Sequence, residues 1–228
     1  NGLHVEGKAD IRTIVTGVTA CQALIDEAIR LKADAILVHH GFFWKSEPEV
    51  ITGMKQRRLK TLLTHDINLF AYHLPLDVHP EVGNNAQLAR LLGIKVRRGL
   101  EPWNSKSVAM VGKLEEPMSG SDFAKLIAER LGREPLHCGD SGPELIRSVA
   151  WCTGGGQSYI SQAAEQGIDA FISGEASEQT IHTAREMGMH FYAAGHHATE
   201  RYGVKALGEW LATVHGLEVT FIDIDNPV

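Results

Sequence analysis

Residues 14–37, IVTGVTACQALIDEAIRLKADAIL, and residues 149–172, VAWCTGGGQSYISQAAEQGIDAFI, align without gaps at an offset of 135 residues. Each segment has an apolar run, then apolar residues at helical spacing, then a second apolar run. This pattern predicts a strand, a helix and a strand in each half of the chain. Five aligned residues are identical, and in the first segment these are Gln22, Ile25, Ala28, Asp34 and Ala35.

The aligned segments are either an internal repeat or a chance match, since five identities in 24 positions can arise by chance. A repeat is favoured because the next strands, at 69–73 and 191–196, both end in histidine. We therefore predict two similar α/β halves, residues 1–104 and 105–228. The polar, turn-rich segment Gly99–Ser107 is the expected linker region.

Apolar, β-branched stretches alternate with helical patterns along the whole chain. Such alternation is typical of βαβ units and of largely parallel or mixed sheets. The predicted strands are residues 11–18, 35–38, 67–72, 108–111, 149–152, 170–172, 191–194 and 219–224. Because ligands of open α/β sheets bind at the carboxyl ends of the strands, functional residues are expected there.

The composition excludes several classes of protein. The net charge is −6 and the chain has no basic run, so nucleic acid is not an expected partner. Three widely spaced cysteines favour neither a disulfide framework nor a thiolate metal site. No apolar run approaches the ~18 residues of a membrane span, and no signal segment opens the chain. The cytoplasm is therefore the expected location.

Histidines are concentrated directly after three predicted strands. These stretches hold five of the twelve histidines and two carboxylates. A single histidine after a strand is usually structural, but three such strand ends together favour a metal site. The stretches are His39-His40-Gly41, His73-Leu74-Pro75-Leu76-Asp77 and His196-His197-Ala198-Thr199-Glu200.

The spacing of these ligands predicts two metal ions. Neighbouring residues of a strand point to opposite sides, so His39 and His40 are expected to serve separate ions. His196 and Glu200 share one face of a helix, and Glu200 can bridge. Pro75 argues against a helix before Asp77, which we expect a loop to place. One ion would then take His39, Asp77 and Glu200, and the other His40, His196 and Glu200. Such ligands suit Zn, Fe, Mn, Co or Ni.

Other residues near these strand ends are candidates for catalysis or substrate binding. His73 is a candidate for proton transfer or for orienting a ligand, and so is His197, which we also assign to substrate binding. Glu175 is either an acid–base group or a surface carboxylate. The turn Gly154-Gly155-Gly156 either cradles an anion of the substrate or is a plain tight turn. The cysteines are expected to be buried apolar residues.

The chain resembles the Ngg-interacting-factor-like family of dinuclear-metal proteins, also named GTP cyclohydrolase type 2 homologues, and within it the bacterial YbgI type. The resemblance covers nearly the whole chain. It implies metal ligands at His39, His40, Asp77, His196 and Glu200, with the site where two similar α/β domains meet, and a ring-shaped homohexamer. The matching motifs are Asn1-Gly2-Leu3, Ile36–Gly41, His73–Asp77, Asn84-Asn85, Ser173-Gly174-Glu175 and Gly195–Glu200.

The function expected from these features is metal-dependent hydrolysis. About three protein ligands per ion leave positions open for water, which is typical of catalytic rather than structural sites. The expected substrate is a nucleotide or a related small molecule, with His73 or Glu175 transferring the proton. The alternative is a non-enzymatic regulatory or interaction protein, because the sequence has no nucleophile motif and no strong phosphate loop.

Overall fold

The eight predicted strands are confirmed in a computed structural model, which describes residues 1–228. The eleven strands are β1 (Gly2–Val5), β2 (Thr13–Thr19), β3 (Ala35–His40), β4 (Asn68–Ala71), β5 (Ile94–Gly99), β6 (Met110–Met118), β7 (Leu136–Cys138), β8 (Ile146–Cys152), β9 (Ala170–Ser173), β10 (His190–Ala193) and β11 (Glu218–Phe221). The eight helices are α1 (Gln22–Arg30), α2 (Gly53–Thr64), α3 (Leu74–Val78), α4 (Asn84–Leu91), α5 (Gly120–Leu131), α6 (Ile160–Glu165), α7 (Glu178–Met187) and α8 (His196–His215).

The first of two compact units comprises Asn1–Leu76 and Gly203–Asp225. Its five-stranded sheet has the order β1-β4-β3-β2-β11, and only β1 runs antiparallel to its neighbour. The central strand β3 is buried along Ala35–His39, as expected for a parallel strand covered on both faces. The apolar face of α1, with Leu24, Ile25 and Ala28, packs into this core.

The second unit comprises Asp77–Tyr202 and Asn226–Val228. Its six-stranded sheet has the order β5-β6-β8-β9-β10-β7. The strands β8, β9 and β10 are parallel, and the other pairs are antiparallel, so the sheet is mixed. Trp151 of β8 is fully buried in one core cluster, and Phe171 of β9 is fully buried in another.

The two aligned segments have the same local structure. In the first unit β2 pairs with β3 so that Ile14 faces Ala35, and in the second β8 pairs with β9 so that Val149 faces Ala170. The helix α1 covers Gln22–Arg30, and a 3₁₀ turn with α6 covers Gln157–Glu165. Each of these positions differs from its partner by the offset of 135 residues. This agreement supports the predicted repeat.

Three strands were not predicted, namely β1, β5 and β7. Each is short or largely exposed and lies at a sheet edge, so none has the apolar run of the central strands. The segment Gly99–Ser107, predicted as a linker, instead joins β5 to β6 within one sheet. Polar turn residues mark a hairpin connection as well as a linker.

The packing units are discontinuous in sequence, whereas the predicted halves 1–104 and 105–228 are continuous. The packing units are defined by contacts within the fold, whereas the predicted halves are defined by sequence similarity. The two halves therefore stay a prediction. No helix has the combination of length and hydropathy that a membrane-spanning segment needs.

Candidate metal centre

Three histidines of the first unit come together at the ends of β3 and β4. His39 and His40 end β3, and His73 follows β4 by one residue after Tyr72. Their ring centroids are 4.6 to 5.6 Å apart, and one donor nitrogen from each ring lies within 4.8 Å of the others. This group could hold a metal ion.

The ring nitrogens of His39 have distinct roles. Nδ1 lies 2.9 Å from the carbonyl oxygen of Tyr72, which can only accept, so Nδ1 carries a proton. In the neutral form of this ring the lone pair is on Nε2, as in metal-ligating histidines oriented by a backbone carbonyl. His40 is oriented in a similar way, because its Nδ1 lies 3.0 Å from Oγ1 of Thr19.

The expectation that His39 and His40 point to opposite sides differs from the structure. Their rings lie 4.6 Å apart at an interplanar angle of 48°. The strand pleat separates neighbouring side chains only inside a regular strand. His40 is the last residue of β3, so its side chain turns toward the same place as that of His39.

A helix, rather than the predicted loop, carries Asp77. The helix α3 spans Leu74–Val78, with Pro75 in its first turn. The expectation was wrong because proline is excluded from helix interiors but favoured in the first turn, where its missing N–H has no partner to lose. His73 directly precedes this helix.

Asp77 is buried and held by hydrogen bonds within the second unit. Its Oδ1 accepts from Nδ2 of Asn84 at 2.9 Å and from Oγ1 of Thr153 at 3.3 Å. Nδ2 of Asn85 donates to the backbone carbonyl of Asp77 at 3.1 Å. These bonds fix the carboxylate in one orientation. The role of Thr153 gave no signal in the sequence, whereas Asn84-Asn85 belongs to the motifs that resemble the family.

His196 lies between two carboxylates at the start of α8. Its Nδ1 is 2.6 Å from Oε1 of Glu175, and its Nε2 is 3.2 Å from Oε2 of Glu200. The hydrogen bond with Glu200 is the main cause that raises the pKa of His196 to about 9, with Glu175 adding to it against the effect of burial. A cation must lie between Nε2 of His196 and Oε2 of Glu200, because both atoms carry lone pairs. This cation is either a proton or a metal ion.

The spacing of His196 and Glu200 fits a metal ion. Two ligand atoms about 2.0–2.2 Å from one tetrahedral ion lie roughly 3.4 Å apart. The separation of 3.2 Å between Nε2 and Oε2 is close to that value. The helical spacing of four residues produces it, because both side chains lie on one face of α8. This histidine–glutamate group could therefore hold a metal ion.

The glycines of the turn after β8 make room for these side chains. A Cβ atom at Gly154 would lie 2.1 Å from Oε1 of Glu200 and 2.9 Å from Nε2 of His196. One at Gly156 would lie 2.4 Å from Sγ of Cys152. Close packing thus explains the glycines at positions 154 and 156. A Cβ atom at Gly155 would have its nearest neighbour at 3.7 Å, so packing does not explain this glycine. Substrate binding by Gly154, Gly155 and Gly156 stays a prediction.

His197 and Cys152 also have predicted roles, in substrate binding and as a buried apolar residue. The backbone N–H of His197 donates to the carbonyl of Val228 at 2.9 Å, which leaves its predicted role in substrate binding untested. Cys152 is buried, and burial, followed by the charges of Asp77 and Glu200, raises the pKa of its thiol to about 12. Cys152 is therefore a neutral apolar residue, as expected.

Comparison with known proteins identifies relatives over the full chain. The chain is 64% identical over 227 residues to a protein of Salmonella typhimurium named GTP cyclohydrolase 1 type 2 homolog, covering 100% of this chain and 90% of the relative. A Vibrio cholerae protein of the same name is 62% identical over 229 residues, with the same coverage.

Solved structures have the same fold. A structure titled protein ybgI, unknown function, has a TM-score of 0.96 at 64% identity, covering 100% of this chain and 90% of that one. TTHA1606 of Thermus thermophilus has a TM-score of 0.89 at 34% identity, again over 100% and 90%. The family model described as Duf34/NIF3 (NGG1p interacting factor 3) matches residues 1–227. The chain therefore belongs to the Duf34/NIF3 family.

Proposed function

We propose that this protein binds two divalent metal ions through His39, His40, Asp77, His196 and Glu200, and that it is a metal-dependent hydrolase. Its expected substrate is a nucleotide or a related small molecule. Relatives named GTP cyclohydrolase 1 type 2 homolog support this class of reaction. Fe, Zn, Mn, Co and Ni all suit imidazole and carboxylate ligands.

The observation that carries the proposal is the contact of His196 with two carboxylates. Glu175 takes Nδ1 and leaves Nε2 directed at Glu200. A carboxylate on the second ring nitrogen is the usual partner of a metal-ligating histidine, because it fixes the ring and makes the ligand nitrogen more basic.

Two bound ions would supply Lewis acidity and a water of lowered pKa. The chain's own residues then have separate tasks in the proposed reaction. His39, His40 and Asp77 are held by Tyr72, Thr19 and Asn84 and supply fixed ligands. His73 or Glu175 would move the proton, since each lies beside a proposed ligand.

Elemental analysis of the purified protein tests the metal site. We expect about two metal ions per chain, and loss of metal and turnover in Glu200→Ala. Glu209→Ala is the matched control, because Glu209 is an exposed carboxylate on the same helix. Retention of both ions in Glu200→Ala would rule out a bridging role for Glu200. Nucleotides and phosphoesters would then be screened with the metal-loaded protein.

The second candidate function is a non-enzymatic regulatory or interaction protein. The family description supports it, since it names an interacting factor rather than an enzyme. Removal of metal separates the two candidates. If EDTA unfolds the protein or dissociates an oligomer, the metal has a structural role. A metal-free protein that stays folded but is inactive favours a catalytic role of the metal.

The assembly proposed for this protein is a ring-shaped homohexamer. It rests on the resemblance of the sequence to the family. Light scattering of the purified protein would give six times the chain mass of 25.0 kDa if the proposal is right. A cytoplasmic location stays a prediction.

A further inference from the structure

A cavity of about 210 Å³ lies beside His39 and His73 within the first unit. Three consecutive aromatic residues, Phe42, Phe43 and Trp44, form much of its wall. Phe43 is 50% exposed and Trp44 is 39% exposed, although both are large apolar side chains. The ring centroids of Trp44 and His73 lie 4.8 Å apart with an interplanar angle of 88°, so the aromatic wall contacts the histidine cluster of the candidate metal centre. We call this space the aromatic cavity.

The segment that carries the aromatic wall is held by contacts with Glu47 and Lys55. Phe43 has a φ of 64°, in the left-handed region that a bulky residue rarely adopts. Oε2 of Glu47 accepts from the backbone N–H of Phe43 at 3.1 Å and pairs with Nζ of Lys55 at 3.1 Å. Lys55 also lies 5.0 Å above the Phe43 ring. Such strain persists only where surrounding contacts enforce it, and it is concentrated at functional sites.

Three polar side chains of the aromatic cavity, those of Asn1, His4 and Lys45, present donors. The Nδ1 atom of His4 accepts from the backbone N–H of Phe42 at 3.1 Å, so the neutral ring carries its proton on Nε2. Oδ1 of Asn1 accepts from the backbone N–H of His73 at 2.7 Å, which leaves the Asn1 amide group as a donor. Lys45 lines the same cavity and brings a positive charge. A matching ligand therefore presents acceptors.

The size of the cavity limits what can enter. Pockets for whole drug-sized ligands usually have about 300–1,000 Å³. A volume of 210 Å³ is smaller and suits a single ring system, with the rest of a larger molecule outside. Aromatic side chains bind such rings by stacking on their faces, which needs a planar ring.

We propose that the aromatic cavity binds a planar heteroaromatic ring that carries carbonyl or carboxylate acceptors. Trp44 and Phe43 contact the ring, while His4, Asn1 and Lys45 donate to its acceptors. This assignment rests on the proposed hydrolytic function, because it places the ring of the substrate beside the proposed ligand His39 and the candidate proton-transfer residue His73.

Orotate and dihydroorotate form a matched pair of probes. They carry the same carbonyl and carboxylate groups, but only orotate has a planar unsaturated ring. Binding is measured by titration calorimetry and ligand-observed NMR on the metal-free protein, so that chelation does not contribute. We expect orotate to bind with the millimolar affinity of a fragment and dihydroorotate to bind about tenfold more weakly.

Variants of the wall identify the site of binding. Trp44→Leu is expected to weaken orotate binding about tenfold, and Trp44→Phe should retain most of it. Lys45→Met should weaken orotate binding several-fold. Trp103→Leu is the control, because Trp103 is 77% exposed and does not line the cavity. Equal binding of both probes, no binding of orotate, or full binding by Trp44→Leu would each overturn the proposal.

The outcome is separable from that of the proposed function. Metal content and turnover test the metal centre, whereas probe binding to the metal-free protein tests the cavity alone. A protein that holds two ions and hydrolyses a substrate but fails to distinguish orotate from dihydroorotate retains its proposed function and loses the ring assignment.

Discussion

The carboxylates of Asp34 and Asp169 accept the same pair of backbone hydrogen bonds in two different sheets. Oδ2 of Asp34 accepts from the N–H groups of residues 12 and 13 at 3.0 and 3.1 Å. Oδ2 of Asp169 accepts from those of residues 147 and 148 at 2.9 and 2.8 Å. The offset of 135 residues relates every position. Each carboxylate therefore fixes the start of β2 or β8, which gives the two identical aspartates a structural reason.

The first prediction concerns Asp34→Ala. Removing a carboxylate that accepts from two backbone groups and from Lys8 should destabilise the metal-free protein by about 1–3 kcal/mol at neutral pH. The hydrogen bond from Lys8 is the main cause that lowers the pKa of Asp34 to about 2. Because the folded pKa is below the unfolded one, the stabilisation is present above about pH 4 and is lost as the pH falls toward 2.

Thermal unfolding of the wild type and of Asp34→Ala is followed by circular dichroism between neutral pH and pH 2. It checks both the loss of stability and its dependence on pH. The difference between the thermal midpoints of the two proteins should be large at neutral pH and small near pH 2. Lys8→Met is the matched control, because it removes the ion pair and leaves the backbone bonds of Asp34. A difference independent of pH would contradict the assigned cause.

The second prediction concerns a residue with a positive φ. Lys32 has a φ of 55°, and its counterpart at the repeat offset is Gly167, with a φ of 67°. Left-handed backbone costs an L-residue roughly 1–2 kcal/mol, whereas glycine adopts it freely. We expect Lys32→Gly to raise the free energy of unfolding by up to about 1 kcal/mol, measured as a shift in the thermal midpoint.

The reverse change, Gly167→Lys, should lower the midpoint. A Cβ atom at Gly167 would meet no atom within 4 Å, so the loss reports backbone conformation rather than a clash. If neither substitution moves the midpoint, the strain at this turn is negligible.

The sequence predicted the central strands and the histidine-bearing strand ends because both depend on local patterns. The apolar run of β3 is buried on both faces, and His39 and His40 end it. Edge strands such as β1 and β5 have mixed, exposed sequences, so their place depends on pairing with β4 and β6 over long distances in the chain. Local periodicity does not encode such pairing.

The sequence predicted which residues are candidate ligands, and this set stays a prediction, whereas the contacts among them could not be predicted. The helical spacing of His196 and Glu200 correctly placed them on one face of α8. The contact of Glu175 with Nδ1 of His196 depends on tertiary structure, since 21 residues separate them. The same holds for Thr153, which reaches Asp77 from 76 residues away.

The third prediction separates two roles of Glu175. If Glu175 orients His196, Glu175→Ala should lower the metal affinity about 10–100-fold. Glu175→Gln retains an acceptor and should lose less. If Glu175 only transfers a proton, turnover falls and metal affinity stays unchanged. Competition with a chelator measures the affinity, and Glu178→Ala, at an exposed carboxylate nearby in sequence, is the control.

The fourth prediction concerns the space left by Gly154. A methyl group there would lie 2.1 Å from Oε1 of Glu200, so Gly154→Ala should displace the carboxylate and abolish metal binding. Gly155→Ala is the matched control, because its methyl group would have its nearest neighbour at 3.7 Å. Gly216→Ala controls for the positive φ, since Gly216 has a φ of 66° and open space around it. Metal content of the three purified variants gives the answer.

The fifth prediction concerns protons released when metal binds. The hydrogen bond with Glu200 is the main cause that raises the pKa of His196 to about 9, so at neutral pH the metal-free ring carries a proton. A metal ion needs the lone pair of Nε2 and must displace that proton. Calorimetric titration in buffers of different ionisation enthalpy should therefore detect release of about one proton from this ring at pH 7 and a smaller release above pH 9.

The stability of the metal-free protein should follow the same group. Because the folded pKa of His196 exceeds the unfolded value of about 6.5, its pairing stabilises the fold below that pH and is lost as the pH rises through 9. Bound metal should remove this loss, because an ion held by His196 and Glu200 would replace the proton between them. A proton release that is equal on both sides of pH 9 would contradict ligation by His196, because the metal-free ring has already lost its proton above pH 9 and would have none left to release.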